Sequence, residues 1–279
     1  MTGEAKRAPG SELQRDRRAR QQYRRRVVLV QLALIASVLL AWHFASGPLL
    51  DPFFVGSPLG TATILVNDLA DPRFWNDLRV TGTEMGLGYL LGGLSGIALG
   101  MLFARWKLLA DVFDPFFSGL NSLPRIALAP LLVVWFGIDI ASKVVLAATL
   151  VFFLTFLTTL TGIRNVDTAL IDVARLVGAS ERQIFRYVML PGAAAWVISG
   201  LKMSLPYALI GVIVGEFLIA SSGLGYRLNY YSTSYNTNGS FAMLLVMMAL
   251  MMVLNGLMGL VERRVLRWRE QTAAVIQPY

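Results

Sequence analysis

The chain has 279 residues, of which 56% are hydrophobic and only 15% charged, with a formal net charge of +8. Soluble domains carry roughly a quarter charged residues, and here the apolar residues form uninterrupted runs rather than amphipathic stripes. That pattern marks an all-α membrane protein and excludes a soluble domain; the absence of cysteine excludes disulfides and thiolate metal sites.

Residues 1–26 hold nine Lys or Arg, ending in Arg24-Arg25-Arg26, and are expected to be a disordered, solvated tail. Val27 to Ala45 is the first span, interrupted by Gln31, Ser37 and the lone His43, which reads as an interfacial or packed side chain rather than a ligand. The tail is long for a signal peptide and no small-x-small cleavage site follows, so this span is uncleaved. Residues 46–79 form a polar connector with prolines at 48, 52, 58 and 72 and aspartates at 51, 68, 71 and 77. Val80 to Phe103 is the second span. Leu108 to Leu123 is expected to be an interfacial segment broken by Asp114-Pro115. Arg125 to Phe136 continues into the third span, and Ser142 to Gly162 is the fourth. After a loop from Arg164 to Pro191 comes the fifth, Ala194 to Ala220, then a polar stretch over 221–239 and the sixth, Phe241 to Leu260. Residues 27–270 thus form one six-helix membrane domain, followed by a short tail over 271–279. No stretch between spans is long enough for an independent core.

Lys and Arg set the orientation. With the N-terminus cytoplasmic, nineteen fall on that side and four (Arg73, Arg79, Lys143, Arg227) on the other, while Arg125 and Lys202 are taken as snorkelling near span ends. Both termini are therefore expected in the cytoplasm. The same distribution makes the positive charge topological and removes a nucleic-acid reading.

No lysine follows a glycine, so the chain lacks a P-loop for ATP. No His-Glu-x-x-His, Gly-x-Ser-x-Gly or paired intramembrane acid–base set is present; no catalytic residue and no metal ligand is assigned. Glycines 88, 92, 96 and 100 share one helix face and invite a neighbouring helix to approach closely. In the 164–191 loop, Asp167 can cap a helix over Thr168 to Val177, ended by Gly178 in the left-handed region. Ser180 with Gln183 forms a capping box for a second helix through Val188, which Pro191 is expected to stop. Leu170, Val173, Ala174 and Val177 line one side of the first helix, and Ile184, Tyr187 and Val188 one side of the second; lipid or a protein partner could cover them. Glu216 near the end of the fifth span is a candidate for the translocation path or for a structural contact. Pro206, expected to kink that span, is a second path candidate.

The loop pattern Asp172-Val173-Ala174, three residues, Gly178, nine residues, Val188, one residue, Leu190-Pro191 resembles the Glu-Ala-Ala loop of ABC importer permeases. Asp172 stands for the usual Glu and Val173 for the first Ala. Leu123-Pro124-Arg125-Ile126-Ala127-Leu128-Ala129-Pro130 with Trp135-Phe136-Gly137 is similar to a signature of the nitrate/sulfonate/taurine group. So are Gly162 to Asp167, Glu216 with Ser222 to Tyr226, and Glu262-Arg263-Arg264. The resemblance covers about residues 75–270. It implies a type I importer permease fold, working as a pair of copies of one chain in lipid. It also implies two cytoplasmic ABC ATPase subunits that hold ATP and Mg, none being bound by this chain, and a periplasmic solute-binding protein. The positions that would couple to the ATPase are Asp172, Val173, Ala174, Gly178, Ala179, Ser180, Leu190 and Pro191. Related permeases import small, mostly anionic solutes, but also thiamin-precursor pyrimidines and aromatic acids. The rival class is a self-contained secondary transporter or channel, which ordinarily needs a central acid.

Overall fold

A computed structural model describes residues 9–267, and every described regular element is helical. The first helix, α1 (Pro9–Ala45), begins well before the span, so residues 9–26 of the expected disordered tail are helical. The rest of that tail and the 271–279 tail lie outside the described residues.

The connector over 46–79 is not a loop. It folds into α2 (Pro52–Val55), α3 (Pro58–Ala70) and the first turns of α4 (Pro72–Arg105). Pro52, Pro58 and Pro72 each sit at a helix start, where the missing N–H is no loss and the fixed φ suits the first turn. The residue before each is a capping acceptor. Asp51 accepts from the Phe53 N–H at 2.9 Å, Ser57 from Gly60 at 3.1 Å and Asp71 from Arg73 at 2.9 Å. The second span is accordingly 34 residues long, about 50 Å at 1.5 Å per residue, and its start projects past the hydrocarbon.

Asp114-Pro115 does not break the next segment either: α5 (Lys107–Ser122) runs through Pro115. A 3₁₀ turn over Arg125–Leu128 and α6 (Ala129–Phe136) follow, bent by 82° from α5. Then come α7 (Ile140–Arg164), α8 (Thr168–Leu176), α9 (Glu181–Ile184), a π-helical turn over Phe185–Met189, α10 (Leu190–Ile219), α11 (Leu224–Thr233) and α12 (Thr237–Val265). Among the described residues five helices are long and apolar enough to cross a membrane, or six when the bent α5–α6 pair is one span.

The centre of the bundle is α7. Gly88, Gly92, Gly96 and Gly100 of α4 lie against Ala147, Ala148, Thr155 and Thr159 of α7, and a methyl group added at Gly100 would come within 2.8 Å of the Thr159 Cβ. From the other side, Gly200, Gly211 and Gly215 of α10 press on Thr158, Ala147 and Lys143. Backbones this close gain dispersion contacts that lipid cannot outcompete. Around this grip Phe74, Met85, Val151, Leu205, Val212 and Met243 form the main core. Phe103, Phe117 and Phe156 fill the α4–α5–α7 junction. By contrast α1 touches the bundle mainly at α3 and leaves Val28 to Phe44 for lipid.

Candidate functional site

At one end of the bundle, α8 and α9 make a two-helix elbow whose local chemistry is the one read from the sequence. The Asp167 carboxylate accepts from the Ala169 N–H at 2.9 Å. Gly178 closes α8 at φ +81, where an L side chain is strained. The Ser180–Gln183 capping box is complete in both directions. Asp172 pairs with Arg175 at 3.7 Å, and Arg175 reaches Glu181 at 3.2 Å, so one guanidinium ties the two helices together.

The outer face of the elbow is apolar. Leu170, Val173 and Val177 are exposed, and Leu176, absent from the expected stripe, is the most exposed at 87%. Ala174 and Ala179 are half-buried beneath this face. Ile184, expected on an outward apolar side, points inward instead and is 1% exposed, beside a cleft shared with Ala104, Arg105 and Ile171.

Pro191 does not stop the second helix. The chain is helical without interruption from Glu181 to Ile219, because the π turn widens the helix just ahead of the proline. Its closing bond runs from the Leu190 N–H to the Phe185 carbonyl, one residue further than in an α-helix. The wider turn makes room for a ring that would otherwise meet the carbonyl of Tyr187, four residues back.

The opposite end holds a buried charge network. Lys143 Nζ of α7 lies 2.5 Å from Glu84 Oε1 of α4, with the two side chains 7% and 1% exposed. Glu216 is also buried at 1%. Its Oε1 accepts from Thr81 Oγ1 and its Oε2 from the Gly225 N–H, each at 2.7 Å. Thr81 Oγ1 in turn accepts from the Leu224 N–H at 2.8 Å, and Asp77 Oδ1 accepts from the Gly223 N–H at 2.9 Å. Gly223 has φ +116, and a Cβ there would run into the Glu216 carboxylate. The turn before α11 is thus clasped by carboxylates of α4 and α10. Behind it Arg227 bonds Asp77 at 2.8 Å, Asp68 at 2.7 Å and Asp71 at 3.2 Å. Tyr231 donates to Asp68 at 2.9 Å.

The structure does not bring the two path candidates together. Glu216 is turned into the α4–α11 clasp, whereas Pro206 lies on the exposed face of α10 with Met203, Tyr207 and Ile210. Arg125, expected to snorkel at a span end, lies level with the middle of α7. Its guanidinium lies 4.1 Å from the ring centroid of Phe153, thirteen residues into the 25-residue α7. Lys202, the other supposed snorkeller, pairs with Glu262 of α12 at 2.7 Å.

Residues 96–267 match the model of the binding-protein-dependent transport system inner membrane component family. The chain belongs to this family. Among its relatives is the putative aliphatic sulfonates transport permease protein SsuC of Bacillus subtilis (strain 168), 29% identical over 85% of this chain and 87% of that one. Another is the formylaminopyrimidine transport permease protein ThiX of Halalkalibacterium halodurans, 28% identical over 84% of this chain and 93% of that one. The crystal structure of an amino acid ABC transporter with histidines shares the fold, with a TM-score of 0.58 at 20% identity over 69% of this chain and 94% of that chain. The matched region takes in the elbow, Arg125, Glu216 and Arg227, while Asp68, Asp77 and Glu84 lie before it. A member of this family is a membrane transport permease, and the all-helical bundle with its apolar helices agrees.

Proposed function

We propose that the chain is the permease subunit of an ATP-driven, binding-protein-dependent importer of a small anionic solute of the sulfonate, taurine or nitrate kind. In this reading both termini and the 164–191 loop face the cytoplasm of a bacterial inner membrane. Two copies line the path, each docks one ABC ATPase that holds ATP and Mg, and an extracytoplasmic binding protein delivers the solute. The observation that carries it is the elbow: a rigid, doubly capped pair of helices with a bare apolar face, fused through the π turn to α10. Four exposed aliphatic side chains within the eight residues from Leu170 to Val177 need a groove, and the positive-inside charge bias supports a cytoplasmic one. The proposed coupling positions are Asp172, Val173, Ala174, Gly178, Ala179, Ser180, Leu190 and Pro191. Asp172 sets the elbow through Arg175, Gly178 and Ser180 shape it, and Leu190-Pro191 pass its movement to α10.

ATP-driven closure of the paired ATPases then draws the two elbows together and rocks the bundles between inward- and outward-open states. Pull-down of the tagged full chain tests this: a P-loop ATPase should co-purify, and Leu176→Asp should lose it while leaving the chain in the membrane. Uptake that persists when that ATPase is disabled would refute the proposal and favour a self-contained transporter.

A further inference from the structure

We infer that Arg125 is the charged centre of an anion subsite halfway across the membrane, on the path itself. The inference rests on the importer reading and adds to it a residue and a place.

Four cations engaged between helices of the bundle each have a carboxylate: Lys143 has Glu84, Arg164 has Asp111, Lys202 has Glu262 and Arg227 has three aspartates. Arg125 has no described carboxylate within ion-pair distance. One terminal nitrogen bonds the Asn121 carbonyl and side chain, while its Nε is buried with no hydrogen-bond partner. A guanidinium held at mid-depth and left short of an acceptor is expensive in hydrocarbon and marks a functional group by default.

The surroundings suit a small anion. Arg125 lines a cavity of about 310 Å³ with Asn121, Leu150, Tyr207 and Ile210. That is the lower end of the roughly 300–1,000 Å³ that small-ligand sites occupy. Phe153 faces one side of the guanidinium at 4.1 Å, which fixes its plane. Arg125 opens the 3₁₀ turn just past the 82° bend that follows α5. A planar fork of N–H donors matches the oxygens of a sulfonate, nitrate or carboxylate. The site is about 16–20 Å of helix from either end of α7, at 1.5 Å per residue, so a lipid headgroup is out of reach. In a second copy Glu84 and Glu216 cannot serve as its counter-charge, because both are buried and engaged, and the exposed Asp114 of α5 is the carboxylate that the test below excludes. The ligand is therefore a solute anion in transit.

The test uses the full chain in nanodiscs with its co-purified ATPase, titrated with methanesulfonate and nitrate, and with dimethyl sulfone as the uncharged isostere. Both anions should raise the melting temperature, the sulfone should not, and Arg125→Gln should weaken the response at least tenfold. Arg125→Lys, which keeps charge but not the fork, should respond in between, and both variants should still co-purify the ATPase. An unchanged anion response in Arg125→Gln, or a wild type that answers the sulfone as it does the anions, overturns the proposal. If Asp114→Asn abolishes dimers as Arg125→Gln does and anions have no effect, the guanidinium pairs across two copies instead, and the proposal is equally overturned. Failure of the importer reading shows separately, as a chain that brings down no ATPase.

Discussion

Arg227 is held by three carboxylates in a site where its own side chain is 11% exposed. Removing one member of a buried ion pair leaves the others desolvated and unpaired, at about 3–5 kcal/mol. Arg227→Ala should therefore lower the thermal midpoint of the detergent-purified chain well below that of Arg227→Lys; equal midpoints would show that water already screens the cluster. Tyr231 belongs to the same cluster. Burial, and then its bond to Asp68, hold its hydroxyl up at about 12. The phenol ionises later in the folded chain than in the unfolded one, so its contribution is complete below about pH 10 and is lost as pH climbs towards 12. Midpoints should fall over that window, and Tyr231→Phe should fall less. Half of this cluster is legible in the sequence once the second helix is begun at Pro72 rather than at Val80. Asp77, Thr81, Glu84 and Gly88 follow helical spacing, which sets the acids on the face that carries the glycines. Their partners are not, because Gly223 is 146 residues from Asp77 and meets it only in the folded bundle.

Among the elements, the π turn governs how the elbow sits on α10. Deleting one residue from Phe185–Met189 should restore α-helical phasing and swing α8 and α9 by about 100° around the α10 axis, one residue of a 3.6-residue turn. ATP hydrolysis by the partner should then continue without uptake, and so it should for Gly178→Val, whose φ of +81 a β-branched residue resists. Coupled transport in both variants would rule out the elbow as a lever. The caps at Asp167, Gly178 and Ser180 were readable because they are local chemistry. Asp51-Pro52, Ser57-Pro58 and Asp71-Pro72 carried the same kind of signal. Proline as a breaker points to a connector there, whereas proline as a first helical residue behind a capping acceptor points to three helix starts. The π turn had no such mark, since it depends on the bundle absorbing Pro191 within a continuous helix.

Across the whole molecule, the apolar runs marked where the long helices lie, and the glycine spacing marked the face of α4 that meets a neighbour, which the fold supplies as α7. The place of Arg125, just past the bend between α5 and α6, is instead one that no run of hydropathy encodes. The seam makes a further demand. Gly96→Val would drive a branched side chain into the Phe152 carbonyl and Thr155, and should abolish recovery of folded protein, whereas the same change at Gly82, with open space around it, should not. Helices that touch through bare backbone on both sides of α7 have no side-chain cushion to re-pack as they slide. Hence α4, α7 and α10 turn as a single block, like the spindle of a lock. Any play lies at the rim, where α6 meets α5 across the 82° bend and α1 touches the bundle mainly at α3.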